Sequence, residues 1–315
     1  MVVKVDKDKL ISKVGAFAKD AKKLTGDISL RTKGIIEKTK TKVIETMDVN
    51  GDGNINIEDI IILGLKTPGI RISRSEFLKN ELMKKYSKEV IEKAIKTTPA
   101  KAGISVKEVD VIADSVIKLE RNCVSGISAA LGTPGGVSMV ATIPADIIQY
   151  YGYMLRAAQK LMYLYGFPEI NVEEKGQDFD SETLNILIIC FGVMHGVAGA
   201  NNAIKAMAKG LAQGVSKKIM TTALTKGTLY PMVKKIAKWF CVKMTKKLLA
   251  GTVQKAIPVI GGVIGGGLTY ATFKPCCDKL KVSLQDTMLS NPNHIEIEGE
   301  NAIIDNVEFI IKEEI

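Results

Sequence analysis

Three long stretches without a charged side chain constrain this chain's fold more than any other feature. Residues 122–145, 183–204 and 256–273 run for 24, 22 and 18 residues without Asp, Glu, Lys or Arg. A helix needs roughly 20 apolar residues to cross a hydrocarbon core, so length alone admits all three as membrane spans. Their composition argues the other way. Pro134-Gly135-Gly136 divides the first run, and Asn185, His195, Asn201 and Asn202 interrupt the second. A helix buried on all sides in a soluble bundle has the same appearance. The leading expectation is a buried helical core. The alternatives are stable insertion, and glycine-rich hairpins that are buried in one state and exposed in another. The third run, "AIPVIGGVIGGGLTYATF", sets Gly261/Gly265 and Gly262/Gly266 at the G-x-x-x-G spacing that lets helix backbones approach closely.

The clearest single helix lies in "DIIQYYGYMLRAAQKLMYLYGFP". Ile148, Tyr151, Leu155, Ala158, Met162 and Tyr165 form one stripe at spacings of three and four. Asp146, Gln149, Tyr153, Arg156, Lys160 and Tyr163 form a second stripe roughly 200° around the helix, and Gly166 with Pro168 supplies its stop. Upstream, "SVKEVDVIADSVIKLE" (105–120) reads as a helix with a capping box formed by Ser105 and Glu108. Further helices are expected near 57–66 and 75–97, and residues 6–46 read as one or two lysine-rich amphipathic helices. The tail alternates locally in "HIEIE" and "VEFII", which fits a small β-hairpin or a disordered end. The fold class is therefore all-α, a multi-helical bundle with glycine-rich apolar helices. Four regions follow: a basic helical region 1–47, a metal-binding region 48–100, a helical domain 101–292 and an acidic tail 293–315. A chain of 315 residues has room for a substantial core and for two domains.

One motif carries explicit chemistry. In "DVNGDGNINIED" (48–59), Asp48, Asn50 and Asp52 stand at positions 1, 3 and 5 of an EF-hand loop, with Gly53 at the turn position 6. Calcium takes about six to eight oxygen ligands and needs this alternation of donors around a sharp bend. Asn54 offers its carbonyl at position 7, Ile55 faces inward at 8, and Asn56 at 9 acts through water. Position 12 is Asp59 in place of the usual Glu, and the shorter arm predicts weaker binding and tolerance of magnesium beside calcium. The bland alternative is a solvated turn that caps a helix, with Asp59 in its first turn. Residues 65–76 set Ile72 and Glu76 at the equivalents of positions 8 and 12 but lack the earlier carboxylates, as a degenerate partner loop would. The loop also resembles one dockerin repeat, but no second repeat follows.

Charge is distributed very unevenly. The net charge is +10, yet residues 183–277 contain 13 lysines, no arginine and no acid, whereas 293–315 holds seven acids and one lysine. In "PMVKKIAKWFCVKMTKKLL" (231–249), Lys234, Lys235 and Lys238 flank Trp239 and Phe240, the pattern of a surface that meets anionic lipid. An anionic membrane surface or a membrane protein is thus the expected partner, with lipid itself a candidate ligand. Nucleic acid is disfavoured by the lack of arginine in 183–277 and of any reading motif. The start, "MVVKVDKDKL", has charges where a signal peptide would be apolar. Five cysteines without metal-ligand spacing fit reduced thiols. Together these place the protein in the cytoplasm, peripheral to the inner face of the cell membrane.

No catalytic constellation emerges. Cys190 and His195 are poorly placed around one helix to face each other, and the glycine runs lack the order of a phosphate loop. Asp146 with Arg156 suits an ordinary amphipathic face better than a buried polar site.

From "IPADIIQYYGYMLRAAQKLMYLYGFPE" onward the chain resembles the EcsC family of bacterial proteins. An aspartate-led helix follows a glycine-rich apolar stretch and ends in Tyr-Gly, and "IPVIGGVIGGGLTY" supplies the later proline and glycine-rich segment. The resemblance spans residues 105–290, and the loop at 48–59 lies outside it as an addition. It implies a bacterial, mostly helical, envelope-related protein, possessing no catalytic residues that carry over. The expected function is a non-enzymatic, calcium-responsive adaptor that docks on an anionic membrane or a membrane protein, including a transporter. An enzyme acting on lipid or another apolar substrate in a helix-lined pocket, and a pore-forming effector, are the alternatives.

Overall fold

Short polar residues and glycines set the helix limits. The computed structural model describes residues 44–49, 51–132, 139–170, 181–241, 260–291 and 294. The expectations for residues 6–43, for Asn50, for the 133–136 break, for most of the acidic loop 173–182 and for the tail beyond His294 lie outside the described residues. Helix α1 spans Ile57–Lys66 and starts at Asn56, whose side chain accepts the Asp59 amide at 2.9 Å while the Asp59 carboxylate accepts the Asn56 amide at 2.9 Å. Such reciprocal caps satisfy donors that a helix start otherwise leaves open. Ser73 caps α2 (Arg74–Leu82), and α3 (Lys88–Lys96) follows after a turn. The single helix expected over 75–97 is therefore two. Lys85 and Tyr86 turn back onto the Leu82 carbonyl between them.

The box at Ser105 and Glu108 forms as expected and opens α4 (Val106–Gly132), which runs on into the first uncharged stretch. Next comes α5 (Met139–Leu164). It closes at Gly166, φ +94°, where the Phe167 amide reaches the Met162 carbonyl at 2.9 Å and the Gly166 amide reaches Tyr163. This is the Schellman arrangement that favours glycine, because only a residue without Cβ adopts that φ cheaply. Downstream lie α6 (Ser181–Met194), α7 (Ala200–Ala212), α8 (Lys217–Thr225), α9 (230–241) and α10 (Ile260–Gln285), and a short helical turn at 44–47 precedes α1. No strand occurs among the described residues, and the fold is all-α.

Helix α5 is the centre of the molecule. Tyr151, Leu155, Ala158, Met162 and Tyr165 are buried, as their stripe predicts. Tyr163 and Lys160 of the opposite stripe are buried as well, so neighbours cover the helix on both sides. Helix α1 crosses it where Gly64 meets Gly152: a Cβ on Gly64 would lie 3.7 Å from the Gly152 Cα and 2.5 Å from Leu155 Cδ1. Among the described residues the most extensive helix pair is α4 with α10. At its tightest point a Cβ on Gly266 would stand 2.9 Å from the Ala129 Cβ and 3.1 Å from the Ser125 carbonyl. Gly266, one of the glycines at G-x-x-x-G spacing, thus provides a close helix contact inside a protein core. None of the helices among the described residues is long and apolar enough to cross a membrane.

One hydrophobic cluster extends from Met47 to Leu289. Two polar side chains tie the first three helices to it. Gln159 accepts the Ile72 amide at 3.1 Å and donates to the Ile70 carbonyl at 3.0 Å. Arg74, 8% exposed, spreads its guanidinium over the carbonyls of Ala94, Ile95 and Thr97 at the end of α3 and that of Phe167 beyond α5. Burial pulls the Arg74 pKa down and nearby Glu169 opposes it. The segment expected as a degenerate metal loop is divided among the last turn of α1, this bound linker and the first turn of α2.

Candidate functional site

The loop at 48–59 has a tightly wound backbone. Asp48 Oδ1 accepts the amides of Gly51 (2.7 Å) and Asp52 (3.2 Å), and Oδ2 accepts that of Gly53 (2.7 Å). Asp52 accepts the Asn54 amide at 2.7 Å, and Asp59, 1% exposed, accepts the amides of Val49 (3.0 Å) and Asn56 (2.9 Å). Gly51 and Gly53 take positive φ, 73° and 80°. Ile55 is buried, as position 8 requires. The donors are hard oxygens of the type that calcium or magnesium takes. Their carboxylates are turned to backbone amides and are not drawn into one cluster; no group of three or more His, Cys, Asp or Glu placed to hold a metal occurs among the described residues. Asp59 stands in the first turn of α1, as the helix-capping alternative has it, but it is buried rather than solvated, and its reciprocal cap is with Asn56, read from the sequence only as a water-mediated ligand. In the first turn of α1, burial raises the Glu58 pKa, and the charges of Asp59 and Asp52 add to it against a backbone hydrogen bond.

The lysine-rich segment is a two-sided helix. Lys234, Lys235 and Lys238 of α9 are exposed; Val233, Ile236 and Phe240 face the core. Lys234 Nζ sits 4.5 Å from the Tyr230 ring centroid, and Lys235 Nζ donates to the Ala198 carbonyl at 2.9 Å. Phe240, expected beside Trp239 as an interfacial anchor, is instead 1% exposed, in edge contact with Phe191 and His195. Its spacing from Ile236 puts both on the inward side, which the lysines alone did not reveal. Trp239 is half-buried against the same imidazole, at 5.7 Å.

A buried ionic group lies at the heart of the fold. Glu120 of α4, 1% exposed, receives Arg156 Nε at 3.0 Å and Lys160 Nζ at 2.6 Å, both from α5. Arg156 also donates to the Gly69 carbonyl. Arg156 and Lys160 were visible as a polar stripe; their partner was not, because Glu120 is 36 and 40 residues away. Two oppositely charged residues on separate helices carry no sequence signal of pairing.

Between the ends of α5, α6 and α7 an apolar cavity of about 240 Å3 is lined by Met162, Met207 and Met220, with Glu169 and Glu182 at its polar side. Glu182 accepts the Thr221 hydroxyl. Cys190 is enclosed in the core with its Sγ 3.4 Å from Met162 Sδ, and burial pushes its thiol up to about 12. A thiol so disposed is a small hydrophobe rather than a nucleophile. His195 is packed among Tyr151, Phe191, Trp239 and Phe240.

Comparison of the chain with protein-family models, curated proteins and solved structures finds no match.

Proposed function

We propose that the protein is a non-enzymatic adaptor whose loop at 48–59 responds to calcium, or more weakly to magnesium, and whose α9 lysines meet an anionic membrane surface. The observation that carries this reading is the coupling of the loop to the core. Ile55 and Ile57 are buried at its end, Asp59 belongs both to the loop and to the cap of α1, and α1 crosses α5 with glycine against glycine. A cation that recruited Asp48, Asp52 and Asp59, with Asn50, Asn54 and Asn56 completing the oxygen set, would take Asp59 from its amides and shift the start of α1. Exposed Lys234, Lys235 and Lys238 supply the surface charge, each worth ~1 kcal/mol beside an anionic bilayer. The EcsC-like segments suit this envelope-facing role.

The test is calorimetry with calcium, followed by sedimentation with anionic and neutral vesicles. Asp48→Ala with Asp52→Ala abolishes calcium binding on this reading, and Lys234, Lys235 and Lys238 changed to Glu release the protein from anionic vesicles. No calcium binding at millimolar concentration in the unmutated protein removes the switch. Equal binding to both vesicle types removes the surface. A second reading, an enzyme or carrier for an apolar molecule, draws on the methionine-lined cavity with Glu169 and Glu182 beside it. Native mass spectrometry that detects a co-purified lipid, lost on Met207→Trp, would favour it.

A further inference from the structure

The methionine-lined cavity between α5, α6 and α7 has a sign as well as a shape. Much of its wall comes from residues 183–277, a stretch with 13 lysines and no acid, yet no lysine or arginine is among the described residues that line it. The ionic side chains in its lining are carboxylates, those of Glu169 and Glu182. Such a lining repels fatty acids and phosphates and attracts a cation.

The two acids are held differently. Glu169 follows the Gly166 turn and is exposed, as is Pro168, so this side of the cavity meets solvent. Its Oε1 accepts the Arg74 amide at 3.1 Å, and its charge acts on the Arg74 guanidinium. Glu182 stands in the first turn of α6 and is 9% exposed. Its Oε2 accepts the Thr221 hydroxyl, a neutral donor that leaves the negative charge in place. The helix dipole favours a carboxylate in a first turn and so accounts for an acid at this position of α6. It does not account for the acid's place in the lining of an apolar cavity. There an ammonium gains more from Glu182 than it would in open water, because little solvent stands between the charges.

Size and texture describe the rest of the ligand. An engineered cavity of about 150 Å3 admits the six carbons of benzene, so one of about 240 Å3 admits a body of roughly nine. Met162, Met207 and Met220 are all buried, and their unbranched, polarizable side chains adapt to the outline of whatever enters.

We propose that this cavity binds a primary amine with a hydrocarbon body of that size, its ammonium at Glu182 and its chain among the methionines. The inference rests on the second reading given above, a site for an apolar molecule, and adds the chemical class of the ligand to it. It depends on neither the calcium loop nor the α9 lysines.

The test is calorimetric titration of the full-length protein at neutral pH with octylamine, octanol, octanoate and butylamine. Octylamine should saturate one site. Octanol has the same chain without the charge and should bind roughly tenfold or more weakly, with octanoate weaker still. Butylamine keeps the ammonium but loses half the chain, and should bind on the order of a hundredfold more weakly. Glu182→Gln keeps an acceptor for Thr221 and should bring octylamine down to the level of octanol while octanol itself is unaffected. General damage to the fold would weaken both. Octanol or octanoate bound as tightly as octylamine, butylamine bound equally well, or a preference for octylamine that survives Glu182→Gln, overturns the amine assignment and leaves the cavity as an apolar site. Failure of all four ligands to bind overturns the cavity reading with it.

Discussion

Replacing Glu120 by alanine removes one carboxylate from beneath two cations of α5. The residue is 1% exposed and its side chain holds Lys160 at 2.6 Å and Arg156 at 3.0 Å. The two partners differ in their escape. The Arg156 side chain is 25% exposed and keeps the Gly69 carbonyl, whereas that of Lys160 is 11% exposed, with its Nζ 5.6 Å from the Phe77 ring centroid. Removing one member of a buried pair costs about 3–5 kcal/mol, mainly because the other charge is stranded. At about 2 °C per kcal/mol, suited to a large domain, Glu120→Ala should melt roughly 6–10 °C below the parent. Lys160→Met in the same background should recover most of that loss, since it removes the stranded ammonium and keeps an apolar stem. The assay is reversible denaturant unfolding of both single variants and the double. Refutation would be a Glu120→Ala protein within about 1 kcal/mol of the parent, or a double variant as unstable as the sum of the singles.

Other substitutions probe separate joints. Arg74→Met strands the carbonyls of Ala94, Ile95, Thr97 and Phe167 and should cost several kcal/mol at about 1–3 per buried acceptor, read by the same unfolding curves. Gly266→Ala forces its methyl to 2.9 Å from Ala129 and should destabilise by about 1–3 kcal/mol, with Ala129→Gly as partial rescue. Thiol labelling at neutral pH should modify exposed Cys123 promptly and leave Cys190 and Cys277, both raised by burial, untouched until the protein unfolds. Lys85 and Ser105 hold the Glu108 carboxyl down to about 2, from 4.5. Its contribution is therefore present above pH 4.5 and fades as pH falls toward about 2, so Glu108→Gln should flatten the acid limb of a stability–pH profile there.

Local signals in the sequence carried far. The capping box at Ser105, the Gly166 stop and the buried stripe of α5 all follow from local spacing along the helix, where helix geometry makes neighbours; the box at Asn56 and Asp59 went unread because the same two residues fit positions 9 and 12 of a metal loop. The break between α2 and α3 was missed because "MKKYS" has no proline or glycine to mark it. The length of α4 was underestimated for a different reason: the change from charged to uncharged composition at residue 122 looks like a boundary but alters only what the helix faces. Distant partnerships were illegible throughout. Glu120 with Lys160, and Arg74 with Phe167, meet only through the tertiary fold. The lysine-rich helix was legible in its exposed half; the inward turn of Phe240 depends on where the core lies.

The pairing of α4 with α10 also sets a schedule for synthesis. Helix α4 ends at Gly132 and α10 begins at Ile260. Roughly 130 residues must therefore be translated between them, which at about 5–20 residues per second takes on the order of 10 s. Through that interval the side of α4 that later receives Gly266 is without its partner, while α5 and α6 already add apolar surface beside it. Helix formation is complete within microseconds, so the wait is spent as a helical but unclosed chain. A nascent protein in this condition is a natural client for a holding chaperone. A chain that terminates before residue 260 never acquires the helix that closes the pair, and is committed to degradation or aggregation.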